Sequence, residues 1–398
     1  MKEKLKREYI SRVRAVLKSK LNAGNTIKAI NTWAVPVIRY SAGIVDWKKE
    51  EASALDRRTR KLFTIHRALH PRSDVDRIYT PRWEGGRGLK SIEDTIESEC
   101  RALGHYIQNH QNPWLKAAWK EKIIKVAEEA ETYKNRRREE RKKGWKDKVM
   151  HGQYIRQIEE VSTKETWLWL KRGELKKETE GTILAAQEQS LPTNYIKQRI
   201  YHQAVGSSKC RVCKEKDETI NHVVSECSAM AQSQYKKRHD NIARALHWQL
   251  CKNYHLSCTE RWYDHTPEIV QENEEVKLLW DHDLQVDHVI QARRPDLVLV
   301  EKKKGKVSLI DVAVPWDSRV ATKEMEKINE YQDLKLELKK IWKMKDVEVV
   351  PIVIGALGAI PKGLRANLER IGVHLPTSLL QKSVLLSTAH ILRRVLST

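Results

Sequence analysis

Two aspartates beside apolar segments are the residues whose spacing first indicates chemistry. Asp296 directly precedes residues 297–300, Asp311 lies within residues 307–314, and both segments are almost continuously apolar and β-branched. Such segments predict strands buried on both faces, joined here as a β-hairpin. Each carboxylate would lie at the edge of a dry core, where Mg²⁺ is its natural partner. Alternatively, aspartate after proline is frequent in turns, and Asp311 could simply flank a structural strand.

The segment after the hairpin adds further candidate side chains. Residues 318–343 have helical character, and Lys327, Tyr331 and Lys335 recur along them at i, i+4 and i+8. One helical face would therefore carry two amines and a phenol. Residues 347–354 then predict another strand. The order strand, strand, helix, strand predicts a small mixed sheet with its acidic residues at one end.

Four soft metal ligands form a second motif. They are Cys210, Cys213, His222 and Cys227, and the gaps between them are two, eight and four residues long. Zn²⁺ prefers such a tetrahedral set, and four protein ligands leave no open position, so the expected site is structural. A helix within residues 219–227 would bring in His222, and we expect it to end or loosen near Ser225, because His222 and Cys227 do not share a helical face. The alternative is buried thiols and a surface histidine.

Cysteine usage and charge set the wider context. Three of the six cysteines lie in this motif, so a disulfide framework is not expected and the chain looks intracellular.

Lys and Arg number 75 against 53 Asp and Glu, which gives a net charge of +22 and favours binding to nucleic acid. The densest basic run is residues 134–148. It predicts DNA or RNA contact or, equally well, a charged helical linker or nuclear-localisation signal. Its candidate contact residues are Arg136, Arg137, Arg138, Lys142 and Lys143.

The chain divides into four predicted segments, and its fold class is multidomain α plus α/β. Residues 1–131 are expected to be helical, 132–205 a basic linker and helical connector, 206–260 the zinc motif with a following helix, and 261–398 a mixed sheet flanked by helices. Residues 375–398 predict an apolar helix that closes this last core or pairs with a partner, and we favour the core. We expect no transmembrane span or signal peptide, and hence a soluble protein.

These motifs together resemble a known family. Pro295 and Asp296, followed by Asp311, are similar to the PD-(D/E)xK nuclease signature. The stretch from Arg294 through Leu334 resembles the restriction-like endonuclease of site-specific non-LTR retrotransposons, and the zinc spacing resembles the CCHC motif that precedes it. Residues 33–43 and 82–89 resemble the thumb and connector after the polymerase palm of these elements. Residues 167–170 and 185–193 resemble the segment ahead of the zinc motif.

The resemblance implies a Mg²⁺-dependent DNA endonuclease. Asp296 and Asp311 would hold the ion, which activates an attacking water. The usual lysine position is Ala313 here, and in this branch the lysine is thought to come from the following helix. Lys327 is therefore the expected catalytic lysine, stabilising transition-state charge, with Lys335 as runner-up. Tyr331 could orient the water or the lysine. Arg293 and Arg294 would bind flanking phosphates of the DNA. The alternative is that both arginines are simply exposed to solvent at the end of a strand.

The resemblance also implies a place within a larger protein. No pair of adjacent aspartates occurs, so the polymerase carboxylates are missing and we expect no reverse transcription from this chain alone. It looks like the C-terminal part of a reverse transcriptase and endonuclease polyprotein, whose nick primes reverse transcription in the nucleus. Target DNA and element RNA are the expected partners, and a homodimer is open if both strands are cut. The rivals are a non-catalytic zinc-stabilised DNA- or RNA-binding remnant and a decayed reading frame.

Overall fold

A computed structural model describes residues 1–120, 129–204, 206–287, 290 and 292–397. The chain forms two compact units. The first unit comprises Met1–Arg156 and Glu174–Leu191, and the second comprises Gln157–Gly173 and Pro192–Thr398. Each unit therefore contains one main segment and one shorter segment from elsewhere in the chain.

The α-helices are, in chain order, α1 (Lys2–Lys18), α2 (Ala23–Ala29), α3 (Val35–Arg39), α4 (Lys49–Ile65), α5 (Val75–Tyr79), α6 (Ile92–Asn109), α7 (Pro113–Lys120), α8 (Ala130–Lys146), α9 (Gln153–Gln157), α10 (Thr163–Thr166), α11 (Leu168–Arg172), α12 (Lys177–Gln187), α13 (Asn194–Arg199), α14 (Lys236–Asn253), α15 (Val320–Glu330), α16 (Gln332–Ile341), α17 (Leu364–Arg370) and α18 (Thr377–Ser397). The strands are β1 (Val270–Glu272), β2 (Val276–Trp280), β3 (Leu297–Glu301), β4 (Lys306–Ala313) and β5 (Asp346–Val353).

The first unit is built from helices in the residues that the structure describes. Residues 121–128 of the predicted helical segment 1–131 lie outside the described residues. Helix α1 buries Tyr9, Val13 and Val16 along one face, spaced four and three residues apart as in an amphipathic helix. The buried carboxylate of Asp56 accepts hydrogen bonds from Ser91 Oγ (2.7 Å) and Ile92 N (2.8 Å), and so fixes the start of α6.

The basic run at residues 134–148 belongs to the first unit and lies largely on α8. Trp145, near the end of α8, is fully buried, with the guanidinium carbon of Arg77 4.5 Å from its ring centroid. Lys148, after the helix, contacts Asp74 and Asp76. The cations of this run therefore lie on a packed helix.

The second unit contains a five-stranded mixed sheet in the order β1-β2-β3-β4-β5. Strands β1 to β4 pair antiparallel, and β5 pairs parallel with β4. The predicted hairpin is confirmed as β3 and β4, and the predicted strand at 347–354 is confirmed as β5, one residue earlier. Strands β1 and β2 were not predicted, because they are short and follow a polar stretch.

Helices cover both faces of this sheet. Leu297 and Leu299 of β3 pack into one core with residues of α14, α17 and α18, whereas Val298 and Val300 pack into the other with Tyr331 and α16. Side chains alternate between the two faces of a strand, so a strand covered on both faces is apolar throughout. The predicted C-terminal helix is α18, and it closes the first of these cores. The coarse fold class, α plus α/β, is thus as expected.

The predicted single helix over 318–343 is wrong in one respect. Helix α15 ends at Glu330 and α16 begins at Gln332, and Tyr331 between them has φ −102° and ψ 11°. Its side chain is buried and directed at Asp311. Lys335 therefore lies on a different helix from Lys327, and the three predicted side chains do not form one continuous helical face.

Candidate functional site

The register of the hairpin brings the two predicted aspartates together. Leu297 pairs with Ile310, and the next residues outward on the two strands are Asp296 and Asp311. Opposing residues in an antiparallel pair have Cβ atoms about 5 Å apart. Asp296 Oδ2 also accepts a hydrogen bond of 2.7 Å from Val312 N, which fixes the first carboxylate against the strand that carries the second.

Asp311 is a buried carboxylate with two side-chain partners. It is 3% exposed, its Oδ1 accepts a hydrogen bond of 2.7 Å from Tyr331 Oη, and its Oδ2 lies 3.0 Å from Lys327 Nζ. Burial, reinforced by the charge of Asp296, raises the pKa of Asp311 to about 6. The side chain therefore lies where an additional cation would be stabilised.

Of the two candidate lysines, Lys327 contacts Asp311, and Lys335 does not. Lys327 Nζ lies between Asp311 and Glu330, 3.0 Å from an oxygen of each. Burial alone would lower the pKa of Lys327, but the charge of Asp311 and the hydrogen bonds to Asp311 and Glu330 together outweigh burial, so the pKa is raised. Ala313, at the usual lysine position, is 7% exposed. The amine thus reaches this region from α15.

His239 on α14 is a neighbour of this site that the sequence did not indicate. Its Nε2 lies 3.0 Å from Asp296 Oδ2 and 3.0 Å from Val312 O, and its Nδ1 lies 3.1 Å from Asp240 Oδ1. Burial would lower the pKa of His239, but the hydrogen bonds to Asp240 and Asp296 outweigh it and raise the pKa to about 10. No local spacing links a histidine to an aspartate 57 residues later, so only the fold could reveal this contact.

The donor atoms around this point suit a hard divalent cation. They are the carboxylate oxygens of Asp296 and Asp311 and the carbonyl oxygen of Val312. Mg²⁺ is commonly held by one or two carboxylates together with waters and substrate phosphates. His239 Nε2 already contacts both Asp296 Oδ2 and Val312 O, and these surroundings raise the pKa of His239, as a site that favours positive charge would.

The two predicted phosphate-gripping arginines lie beside the site and are exposed. Arg293 Nε lies 2.7 Å from Asp283 Oδ1, and Arg294 Nε lies 2.8 Å from Asp281 Oδ1. Their side chains are 51% and 59% exposed, respectively. Exposed pairs of this kind are weak, so both guanidinium groups can exchange a carboxylate for a phosphate.

The four predicted soft ligands converge in the second unit. Cys210 Sγ and Cys227 Sγ are 4.0 Å apart, and Cys213 Sγ lies 3.3 Å from His222 Nε2. All four ligand atoms lie within 4.8 Å of one another. Burial would raise the pKa of Cys213, but hydrogen bonds from the backbone N–H groups of Lys216 and Glu215 outweigh it and lower the pKa. This cluster can hold a metal ion such as zinc.

The helix of the zinc motif loosens where the sequence predicts it. Residues His222–Glu226 are π-helical, and the helix ends before Cys227. The hydroxyl of Tyr235 accepts a hydrogen bond of 3.1 Å from Cys227 N and donates one of 2.8 Å to Val223 O. The wider turn lets His222 and Cys227 face the same centre, and Tyr235 holds that turn in place.

The predicted nucleic-acid contacts on α8 mostly have acidic partners. Arg136 contacts Glu140, Arg137 contacts Asp94 and Glu140, and both Arg138 and Lys142 contact Glu84. Lys143 is exposed and makes no ion pair with any residue that the structure describes. Four of the five predicted contact residues are therefore in ion pairs, and Lys143 is the one left free among the described residues.

The chain was compared with known proteins. No model of a protein family matches it, and none of the curated proteins matches it. In the part of the chain that the structure describes, no helix combines the length and the apolar character needed to cross a membrane.

Proposed function

We propose that this chain is a metal-dependent DNA endonuclease, the C-terminal part of a non-LTR retrotransposon protein. The observation that carries the proposal is the contact of 3.0 Å between Lys327 Nζ and Asp311 Oδ2, beside the opposing Asp296. Two carboxylates and an amine are the groups that a PD-(D/E)xK nuclease requires. The amine comes from α15, while Ala313 occupies the usual position.

The surrounding elements support a restriction-like core. An antiparallel hairpin, a helical segment and a strand parallel to the second hairpin strand follow one another, with helices on both sheet faces. The aspartates lie at one end of the hairpin. This arrangement is the one that the sequence resemblance implies.

The chain's own residues would divide the work of phosphodiester hydrolysis. Asp296, Asp311 and the carbonyl of Val312 would hold Mg²⁺, which when bound supplies Lewis-acid stabilisation of phosphate charge and activation of the attacking water. Lys327 would place a fixed positive charge beside the developing phosphate charge. Tyr331 orients the Asp311 carboxylate through its hydrogen bond. Arg293 and Arg294 would bind flanking phosphates.

The remaining assignments follow from the same resemblance. The Cys210 cluster would hold structural Zn²⁺, and a net charge of +22 supports binding to target DNA and element RNA. A nucleic-acid target of this kind implies a nuclear protein. If both DNA strands are cut, two copies of the chain would act together.

Conversion of supercoiled plasmid to nicked circle in Mg²⁺ tests this proposal. We expect nicking by the unaltered chain and its loss in Asp311→Asn, with plasmid binding retained. Asp333→Asn is the matched control, because Asp333 is an exposed aspartate on α16. Equal nicking by both variants would overturn the proposal.

One observation favours a second candidate, a non-catalytic nucleic-acid-binding module. Asp296 and Asp311 each already have a cationic partner, His239 and Lys327 respectively, so both carboxylates are neutralised without a metal ion. Under this alternative the chain binds plasmid but does not nick it in Mg²⁺, and Asp311→Asn changes neither property.

A further inference from the structure

A second cluster of soft ligands lies in the core of the second unit, apart from the predicted zinc motif. It consists of His247 and Cys251, one turn apart on α14, and His265, in the segment before β1. His247 and Cys251 are fully buried and His265 is 4% exposed. Buried histidine is costly unless its ring nitrogens have partners, so this group calls for a physical explanation.

The three ligand atoms converge on one point. His247 Nδ1 lies 2.8 Å from His265 Nε2 and 3.4 Å from Cys251 Sγ, and all three atoms lie within 4.8 Å of one another. Around tetrahedral zinc, two nitrogens are about 3.3 Å apart and a nitrogen and a sulfur about 3.6 Å apart, given bond lengths of about 2.0–2.1 and 2.3 Å. The observed nitrogen–sulfur separation is close to its value, whereas the two nitrogens are about 0.5 Å closer than this geometry requires and would move apart when the ion binds.

Hydrogen bonds satisfy part of this arrangement: the Cys251 thiol donates to Gln271 Oε1, whereas the structure describes no partner for the buried Nε2 of His247. His247 Nδ1 faces both His265 Nε2 and Cys251 Sγ, and a nitrogen of a neutral imidazole either donates one proton or accepts one. It cannot bond well to both neighbours as a donor to one and an acceptor from the other. One metal ion would satisfy all three atoms at once.

We propose that His247, Cys251 and His265 bind a second structural metal ion, of the zinc class, with Cys258 as the fourth ligand. Two imidazoles and two thiolates form a common structural zinc set. Cys258 is partly buried and packs against the same core cluster that contains Cys251. It lies on the connection after α14, between Cys251 and His265 in sequence. Its Sγ is not among the three atoms that lie within 4.8 Å of one another, so this connection would move toward them when the ion binds.

The ion would fasten α14 to the connection that leads into the sheet. In the metal-free chain the Cys251 thiol donates a hydrogen bond of 2.9 Å to Gln271 Oε1 on β1, and metal binding would replace that proton. The ring centroids of His247 and of Trp280 on β2 are 5.7 Å apart in an edge-on contact. Helix α14 also carries His239, which contacts Asp296. The proposed ion therefore stabilises the helix that supports the first carboxylate, and it is itself enclosed and structural.

Metal content of the full chain tests this inference. The chain would be loaded with excess Zn²⁺, desalted and measured by mass spectrometry for zinc per chain, with circular dichroism to confirm folding. We expect two zinc ions in the unaltered chain and one in Cys251→Ser, with one also in Cys213→Ser and none in the double variant. Cys100→Ser is the matched control and should retain two, since Cys100 lies in the first unit.

The outcomes are distinct. Zinc content that is the same in Cys251→Ser as in the unaltered chain, whether one ion or two, would overturn the second site. A single zinc ion that is lost in Cys251→Ser but kept in Cys213→Ser would support it. Two zinc ions in Cys258→Ser would overturn the assignment of the fourth ligand. None of these measurements depends on nuclease activity, so failure of the proposed endonuclease would leave the result on metal content unaffected.

Discussion

Asp311 is the residue on which the candidate nuclease centre depends. Its carboxylate contacts Tyr331 and Lys327, which follow it by 20 and 16 residues, and faces the charge of Asp296. The type and strand position of Asp311 were predictable from the apolar run around it. The choice of Lys327 came only from the family resemblance, because no spacing rule places a lysine of one element against an aspartate of another.

The raised pKa of Asp311 predicts a pH dependence of stability in the metal-free chain. A carboxyl group with a folded pKa of about 6 and an unfolded pKa of about 4 stabilises the fold fully below the lower value. This stabilisation is lost as pH rises through the higher one, by at most about 1.4 kcal/mol per pH unit. The unfolding free energy of the unaltered chain should therefore fall, relative to that of Asp311→Asn, from about pH 4 to about pH 6. Denaturant titrations measure this difference, and a constant difference across that range would contradict the prediction.

At the scale of elements, strong apolar patterns were predictable and changes of direction were not. The hairpin, β5 and α18 follow from continuous apolar runs or helical periodicity. The short strands β1 and β2 were missed, because runs of three and five residues carry little pattern. The break at Tyr331 was missed too, because it accompanies a hydrogen bond from the phenol to Asp311 of β4, which local propensity cannot report.

The contacts of Tyr235 beside the Cys210, Cys213, His222 and Cys227 cluster lead to a prediction about metal binding. Tyr235→Phe removes the hydroxyl that bonds to Cys227 N and Val223 O, leaving buried backbone groups without a partner at a cost of about 1–3 kcal/mol. We expect zinc affinity to fall roughly tenfold or more, measured by competition with a chelator. Tyr263→Phe is the control, since Tyr263 is 52% exposed, and an equal affinity in both variants would refute the role of Tyr235.

Helix α8 gives a prediction that separates paired from free cations. Arg138→Ala removes a partner of Glu84, which is 11% exposed, and should lower the unfolding free energy by up to about 1 kcal/mol. Lys143→Ala should leave stability unchanged, because Lys143 is exposed and has no ion pair within the described residues. Thermal unfolding measures both effects. Equal destabilisation by the two substitutions would contradict the conclusion that the Arg138–Glu84 ion pair stabilises the fold and that Lys143 does not.

At the scale of the whole molecule, a net charge of +22 was the most general signal in the sequence. It predicts binding to nucleic acid that weakens steeply with salt, by a factor set by the number of phosphates contacted. It does not say which cations make those contacts, since most candidates on α8 have acidic partners in the fold. The two zinc-class clusters likewise differ in predictability. The CCHC motif is local in sequence, whereas His247, Cys251 and His265 meet only through tertiary packing.

A comparison of two lysine substitutions tests the central claim most directly. Lys327→Ala and Lys335→Ala remove the same group from adjacent helices, but only Lys327 contacts Asp311. In plasmid nicking with Mg²⁺, we predict that Lys327→Ala lowers the rate by about 100-fold or more while plasmid binding is retained, and that Lys335→Ala nicks at the rate of the unaltered chain. Equal rates in the two variants, or a folded unaltered chain that binds plasmid without nicking it, would contradict the account.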